Sequence, residues 1–269
     1  MKWVRAVFLT DPLVILATMF FGSLSLLVSF FDKTGRRQIA VGRFWARFLL
    51  GLSGIRVRVS GLERIAPGGS YIFVTNHLSY MDTPVMLAYI PVQFRFLAKR
   101  GLFKVPFLGQ HLSRGGHIPV PLEDPRAAVK TLQRAAQVIQ AKKISLLIFP
   151  EGGRSQDGVL QPFKEGAAYI AIRAGVPIVP VVLRGTREVL PFGSGVVRAG
   201  LVDLHVLEPI DTRGMALKER GRLTERLRGL ILGELEGERE TGGSVHAQKP
   251  LGTESPVPEH RASYSEHEN

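Results

Sequence analysis

After residue 53, short apolar runs alternate with segments whose apolar residues have helical spacing. The runs are rich in β-branched and aromatic residues, which favour strands. They cover residues 55–60, 71–75, 94–98, 117–120, 144–149, 178–183 and 203–207. Strands that alternate with helices are typical of a sheet with helices packed on its faces. We therefore predict an α/β fold with a mixed, largely parallel sheet covered by helices.

Two of the intervening segments carry clear helix boundaries. The helix predicted over 124–142 has Asp124 as N-cap and Pro125 at its first position, with apolar residues spaced along one face. The helix predicted over 165–174 is closed by Gly175. These boundaries strengthen the alternation of strands and helices.

The N-terminal residues follow a different pattern. Residues 12–31 form twenty positions without a charge, long enough to cross a hydrocarbon core as a helix. A cleaved signal peptide is disfavoured, because charged residues and not a small-residue cleavage site follow this long run. Residues 41–52 are apolar with Arg43 and Arg47, which suits an interfacial helix whose arginines extend towards head groups. A single span and a pair of helices dipping into one leaflet both fit.

The patterns divide the chain into three parts. Residues 1–53 are predicted to form membrane-anchoring helices. Residues 54–238 are predicted to form the α/β domain, which ends with a charged, partly amphipathic helix over 215–235. Residues 239–269 are dominated by Gly, Ser, Pro, Glu and His with few apolar residues, so we expect a disordered polar tail.

Composition narrows the choice of partners. The chain carries 35 Lys and Arg residues against 23 Asp and Glu residues, a net charge of +12. Nucleic acid and anionic lipid are the usual partners of such a surface, and the apolar N-terminus favours lipid over nucleic acid. The chain has no cysteine, which excludes disulfides, thiolate zinc sites and a cysteine nucleophile. Paired histidine spacing is also missing from the sequence, so we expect no metal site. We also expect no cofactor.

The strand predicted at 71–75 ends in the run Asn-His-Leu-Ser-Tyr-Met-Asp over 76–82. Asp82 can accept a hydrogen bond from one imidazole nitrogen of His77 and leave the other nitrogen free to take a proton. This pair is half of a catalytic triad, and a substrate hydroxyl would serve as the nucleophile. Ser79 lacks the surroundings of a nucleophile elbow and is expected to steady the turn. The structural alternative is that Asp82, before a Thr-Pro pair, simply caps a helix.

A second unusual run, Phe-Pro-Glu-Gly-Gly-Arg-Ser over 149–155, follows a strand whose continuous apolar character fits a central position. Ligands gather beyond the carboxyl ends of strands in open α/β sheets, so both runs can face one cleft. The glycines allow close approach of backbone to a ligand, and Arg154 presents a planar fork suited to phosphate oxygens. Glu151 can bond a polyol or hold the arginine. An ordinary glycine-rich turn with a surface Glu–Arg pair is the alternative.

The two runs, in this order and at this spacing, resemble the motifs of the glycerolipid acyltransferase family. The best-known members of that family are the 1-acyl-sn-glycerol-3-phosphate acyltransferases. Further blocks are similar to the family pattern, at residues 98–109, 162–166 and 176–181. The resemblance covers about residues 50–210.

The resemblance implies acyl transfer from a thioester, acyl-CoA or acyl-carrier protein, to the sn-2 hydroxyl of 1-acyl-glycerol-3-phosphate, giving phosphatidic acid. His77 is the implied general base, and Asp82 fixes its tautomer and stabilises the imidazolium. The implied substrate-binding residues are Asn76, Lys104, Glu151, Gly152 and Arg154, with the two cations at the acceptor phosphate. The expected surroundings are a lipid bilayer, of the bacterial inner-membrane type, with the active site facing the cytoplasm.

Two departures from the family pattern concern the acceptor. An Asp-Arg or Lys-Arg pair often follows the Gly-x-Ile-x-Val segment, but here the chain continues as Pro-Leu-Glu over 121–123. The missing arginine is usually associated with the acceptor's phosphate. The common threonine of the second motif is Gly153. Other acceptors, such as lyso-ornithine lipid or a headgroup-bearing lysophospholipid, therefore stay open, as does a non-catalytic lipid-binding membrane protein.

Overall fold

The computed structural model describes residues 8, 10–32 and 34–242, and these residues contain one seven-stranded sheet. Its strand order is β1-β7-β6-β2-β5-β3-β4. All neighbouring strands are parallel except β6 and β7. The strands are β1 Ile55–Ser60, β2 Ile72–Thr75, β3 Phe94–Lys99, β4 Ile118–Val120, β5 Ser145–Ile148, β6 Ile178–Arg184 and β7 Gly200–Val206. The predicted mixed, largely parallel sheet is confirmed.

The helices cover both faces of this sheet. They are α1 Asp11–Ser29, α2 Arg36–Leu52, α3 Asp82–Tyr89, α4 Leu108–Arg114, α5 Pro125–Lys142, α6 Gly166–Ala174, α7 Thr186–Val189 and α8 Arg220–Gly242. Short 3₁₀ turns lie at Leu62–Arg64, Arg100–Lys104 and Leu217–Glu219. The predicted helix boundaries hold where the sequence marks them. The Asp124 side chain accepts a hydrogen bond from Ala127 N, and Gly175 closes α6 with a φ of +67°.

The central strand β2 separates two apolar cores. The Phe73 side chain belongs to the core beneath α2 and α3, whereas Ile72 and Val74 belong to the core beneath α5, α6 and α8. All four residues of β2 and of β5 are buried. A strand covered on both faces favours apolar side chains at most positions, which explains the near-continuous apolar runs in the sequence.

The N-terminal helices form a hairpin that packs on α3. The Arg43 guanidinium donates to the carbonyls of Ile90 (2.8 Å) and Val92 (2.6 Å), and Arg47 Nε donates to Ala88 O (3.1 Å). The prediction that these arginines extend towards head groups is therefore wrong. The last carbonyls of a helix lack intrahelical partners, and α2 supplies guanidinium donors to the end of α3 instead.

Among the described residues, α1 is the one helix long and apolar enough to cross a membrane, and little of it is buried against the rest of the chain. Helix α2 ends at Leu52, just before the predicted division at residue 53, which stays a prediction. The described residues up to Leu235 form one compact unit. Helix α8 extends to Gly242, four residues into the predicted tail, and the remaining part of that tail lies outside the described residues.

Candidate active site

The two special runs of the sequence meet at one edge of the sheet. Strands β6, β2 and β5 are adjacent and parallel, so their carboxyl ends lie side by side. The run 76–82 follows β2 and the run 149–155 follows β5. A backbone hydrogen bond of 2.8 Å from Ser155 N to His77 O joins the two loops directly. The location beyond the strand ends is where open α/β sheets bind ligands.

Asp82 points back into the turn that precedes its helix. Its Oδ2 lies 2.7 Å from His77 Nδ1 and accepts hydrogen bonds from Leu78 N (2.8 Å) and Ser79 N (2.9 Å). The side chain is fully buried. Asp82 is the first residue of α3, not its N-cap, and the N-cap position, Met81, makes no side-chain cap. The capping interpretation is therefore wrong, because the carboxylate serves the imidazole and the turn.

The His77 imidazole is held on one side by this carboxylate and on its face by Phe149. The two rings stack with centroids 3.8 Å apart and an angle of 19° between their planes. With Nδ1 bonded to Asp82, Nε2 is the nitrogen available to take a proton, and it has no hydrogen-bond partner among the described residues. The side chain is 17% exposed, which leaves it accessible to a substrate.

Glu151 fixes the backbone on which His77 stands. Its Oε1 accepts from His77 N (2.6 Å) and its Oε2 accepts from Gln161 N (2.9 Å). Burial raises the pKa of this carboxyl, and the two backbone hydrogen bonds oppose that rise. Since both oxygens bond to backbone amides, Glu151 does not pair with Arg154 in this structure. The alternative of an ordinary turn with a surface Glu–Arg pair is therefore wrong, because Glu151 links the two loops instead.

Asn76 likewise connects two strand ends. Its side-chain amide donates to Leu183 O (2.8 Å), and its carbonyl oxygen accepts from Leu183 N (2.9 Å). The residue is fully buried. This reciprocal pair continues the β2–β6 ladder through a side chain. In this structure Asn76 positions the start of the turn that carries His77.

Arg154 lies between two aromatic rings. Its guanidinium carbon is 3.5 Å from the centroid of Tyr80 and 4.8 Å from that of Phe192. Among the described residues no carboxylate or carbonyl oxygen forms a hydrogen bond with this guanidinium. A cation with its donors unoccupied next to the His77–Asp82 pair can receive an anionic group of a ligand.

The remaining predicted binding residues are Gly152 and Lys104. Gly152 adopts a φ of +78°, a backbone conformation that residues other than glycine rarely adopt, so this turn favours glycine. Lys104 is exposed at the end of the 3₁₀ turn that follows β3. Because β3 is parallel to β5, this turn starts at the same edge of the sheet. Among the described residues Lys104 has no hydrogen bond or ion pair with the rest of the site.

Two further residues shape the site. Arg187, in α7, donates to Gln156 O (2.7 Å) and approaches Ser155 O (3.4 Å), which braces the loop after β5. Sequence reasoning missed it, although α7 follows the carboxyl end of β6, where the strand-end rule would have found it. Ser79 Oγ donates to Leu190 O (2.8 Å), so this hydroxyl steadies the turn as expected.

The Acyltransferase family model matches residues 56–184 of the chain. The 1-acyl-sn-glycerol-3-phosphate acyltransferase of Saccharomyces cerevisiae is 30% identical over 234 residues, which are 85% of this chain and 77% of the yeast protein. The chain belongs to the glycerolipid acyltransferase family. The resemblance seen in its two motifs is thereby confirmed.

The chain is also similar to other members of the glycerolipid acyltransferase family. The chloroplastic 1-acyl-sn-glycerol-3-phosphate acyltransferase of Brassica napus is 34% identical over 186 residues, 68% of this chain and 53% of the plant protein. The chain thus spans about half the length of that relative. The crystal structure of the 1-acyl-sn-glycerophosphate acyltransferase PlsC from Thermotoga maritima is 25% identical, with a TM-score of 0.71 over 93% of this chain and all of that one.

Proposed function

We propose that this protein transfers a fatty acyl group from acyl-CoA or acyl-carrier protein to the sn-2 hydroxyl of 1-acyl-glycerol-3-phosphate, giving phosphatidic acid. The observation that carries the proposal is the 2.7 Å bond between His77 Nδ1 and the buried Asp82 carboxylate, which leaves Nε2 to act as a base. The names of the relatives from yeast, Brassica napus and Thermotoga maritima support the same acceptor.

The reaction requires one attack and one collapse. His77 Nε2 takes the proton of the acceptor hydroxyl while the oxygen attacks the thioester carbonyl, and Asp82 stabilises the imidazolium that forms. The tetrahedral intermediate then breaks its C–S bond, and the imidazolium returns the proton to the leaving thiolate. Since a thiolate leaves readily, no acyl-enzyme and no metal or other cofactor is needed.

Arg154 is our candidate for the acceptor phosphate, because its guanidinium donors are unoccupied near the catalytic pair. Lys104 is a second cation for the same group. Glu151 and Asn76 act through the backbone of the catalytic turn, as their hydrogen bonds to His77 N and to Leu183 indicate. Gly152 allows the tight turn that precedes Arg154.

The N-terminal hairpin is proposed to hold the enzyme at the bilayer. On α1, large apolar side chains are exposed by 59% to 63%, at Ile15, Leu16, Met19, Phe20 and Leu27. On α2, Phe44 is 62% exposed. Such a surface is stabilised by contact with acyl chains, and the net charge of +12 favours anionic lipid. Because acyl-CoA and acyl-carrier protein are cytoplasmic, we place the site on the cytoplasmic face of a bacterial-type inner membrane.

A second acceptor class is favoured by one observation. Where family members often carry an Asp-Arg or Lys-Arg pair, this chain has Glu123, which forms an ion pair with Arg100 at 2.6 Å. The chain therefore lacks, at this place, an arginine that could bind the acceptor phosphate. Acyl transfer to a lyso-ornithine lipid or to a headgroup-bearing lysophospholipid is therefore the alternative function.

An acceptor panel with the membrane-reconstituted protein tests these functions. Wild-type protein and Arg154→Met are supplied with acyl-CoA and each acceptor, and products are measured by mass spectrometry. We expect phosphatidic acid as the main wild-type product, and we expect Arg154→Met to reduce transfer to phosphate-bearing acceptors far more than to others. Equal loss on all acceptors would show that Arg154 is structural. A main product from another acceptor would contradict the proposed substrate.

A further inference from the structure

We infer that Tyr80 and Phe192 form an aromatic clamp that positions the Arg154 guanidinium for the acceptor's phosphate. This inference rests on the proposed function, in which Arg154 receives that phosphate. The ring of Tyr80 lies 3.5 Å from the guanidinium carbon and the ring of Phe192 lies 4.8 Å from it. Tyr80 is 66% exposed and Phe192 is 37% exposed. Burial in a core therefore does not account for either ring.

Ring faces hold a guanidinium without using its hydrogen-bond donors. The donors of Arg154 lie in the plane of the guanidinium, whereas cation–π contact is made through the face. A carboxylate partner would instead occupy the donors and neutralise the charge that a phosphate must meet. The two rings thus restrict a long, flexible side chain and leave its edge open. This arrangement is pre-organised for an anion.

The rings themselves are tied to the catalytic turn. Ser79, next to Tyr80, donates its hydroxyl proton to Leu190 O at 2.8 Å, two residues before Phe192. Arg187 donates to Gln156 O at 2.7 Å and thereby holds the loop that carries Arg154. The segment 187–192 consequently bridges both motif loops from outside the motifs. It fixes the distance between the clamp and the His77–Asp82 pair.

The two rings are expected to contribute unequally. The Tyr80 ring is closer to the guanidinium, and its face contact falls well within the range over which cations are attracted to rings. Phe192 is farther away and its aromatic quadrupole acts more weakly at that distance. A Tyr80→Phe change keeps the ring face, whereas Tyr80→Leu removes it and leaves a smaller apolar side chain.

Steady-state kinetics in mixed micelles tests the clamp. For Tyr80→Leu we expect the KM for 1-acyl-glycerol-3-phosphate to rise about fivefold to tenfold while kcat changes less than about twofold, the pattern of a lost binding interaction. Tyr80→Phe should restore the wild-type KM, and Phe192→Leu should give a smaller rise than Tyr80→Leu. The KM for the acyl-CoA donor should not change. An unchanged acceptor KM in Tyr80→Leu would overturn the inference.

A double-mutant comparison separates positioning from a general structural effect. Tyr80→Leu combined with Arg154→Met should bind the acceptor no more weakly than Arg154→Met alone, because the ring acts only through the arginine. Full additivity of the two losses would overturn the clamp.

Equilibrium binding of 1-acyl-glycerol-3-phosphate provides a readout that does not depend on turnover. If the wild type binds this lipid but transfers no acyl group, the proposed function fails while the clamp is still decided by the affinity of Tyr80→Leu. Weaker binding supports the clamp, and unchanged binding contradicts it. If the wild type neither binds nor acylates this lipid, both the proposed function and the clamp are refuted.

Discussion

At the scale of single residues, the geometry of the site depends on where carboxylates place their oxygens. Asp82 gathers His77 Nδ1 and two backbone amides on one oxygen, so the imidazole is fixed by the same atom that shapes the turn. Glu151 holds the backbone of His77, because its carboxylate accepts a hydrogen bond from His77 N. His77, the proposed general base, is thus held by two acidic residues, and of these two only Asp82 contacts its ring.

Glu151→Gln should lower activity by displacing His77. A glutamine offers one acceptor oxygen, and its NH₂ group would face either His77 N or Gln161 N, donor against donor. We expect kcat to fall about tenfold or more with little change in the acceptor KM, and stability to fall by about 1–3 kcal/mol. Kinetics and chemical unfolding measure both. Glu63→Gln, at an exposed position, is the control, and a Glu151→Gln protein with wild-type kcat would contradict this role.

The residue scale also shows what the sequence could and could not reveal. The five-residue spacing of His77 and Asp82 across a strand–helix turn was sufficient to predict their contact. The role of Glu151 was not predictable, because its partners His77 N and Gln161 N depend on the register between β2 and β5. Arg187 could have been found, because it follows the carboxyl end of β6, where ligands gather in open α/β sheets.

At the scale of elements, side chains of α2 hold the end of α3, the helix that has Asp82 at its first position. The three guanidinium hydrogen bonds of Arg43 and Arg47 satisfy carbonyls around the end of α3. Strand positions were predictable because two-sided burial imposes apolar runs, and β1 has the predicted bounds. The arginines were mispredicted because an amphipathic helix looks the same whether its cations face head groups or helix ends.

Arg43→Met should loosen this packing. The change leaves the carbonyls of Ile90 and Val92 without a charged donor, so we expect the free energy of unfolding to fall by about 2–3 kcal/mol. Thermal and chemical unfolding in detergent measure the loss. Arg56→Met, an exposed position on β1, removes the same charge and should change stability by less than about 0.5 kcal/mol. Equal effects of the two changes would show that Arg43 contributes only its charge.

At the scale of the whole molecule, the half-buried His111 and the buried His117 lie where the hairpin meets the α/β domain. His111 Nδ1 contacts Ser25 Oγ of α1 (3.1 Å) and Gln38 Nε2 of α2 (3.3 Å). His117 Nδ1 accepts from Phe96 N at 2.9 Å. Burial, followed by the nearby charges of His111 and Arg95, lowers the pKa of His117 from 6.5 to about 3. The folded protein therefore keeps this imidazole neutral.

Stability should consequently fall in mild acid. The unfolded chain takes up a proton at His117 below the ordinary pKa of 6.5, whereas the folded chain does not. The contribution of the neutral His117 to the free energy of unfolding is therefore complete above pH 6.5 and is lost as the pH falls towards 3. At about pH 5 the loss should be about 2 kcal/mol. His117→Asn keeps an acceptor for Phe96 N and should flatten the dependence of unfolding free energy on pH between about 6.5 and 4.5. An unchanged slope would assign the acid sensitivity to other groups.

The rate of acyl transfer to 1-acyl-glycerol-3-phosphate by His77→Ala, reconstituted in vesicles with acyl-CoA, tests the catalytic role of this residue most directly. Removing the base should lower kcat by about 10³-fold, because general-base catalysis at a positioned hydroxyl contributes about 10²-fold to 10⁴-fold. The variant should still fold, because Asp82 retains its hydrogen bonds from Leu78 N and Ser79 N. A folded His77→Ala protein that acylates this lipid at close to the wild-type rate would contradict the assignment of His77 as the base.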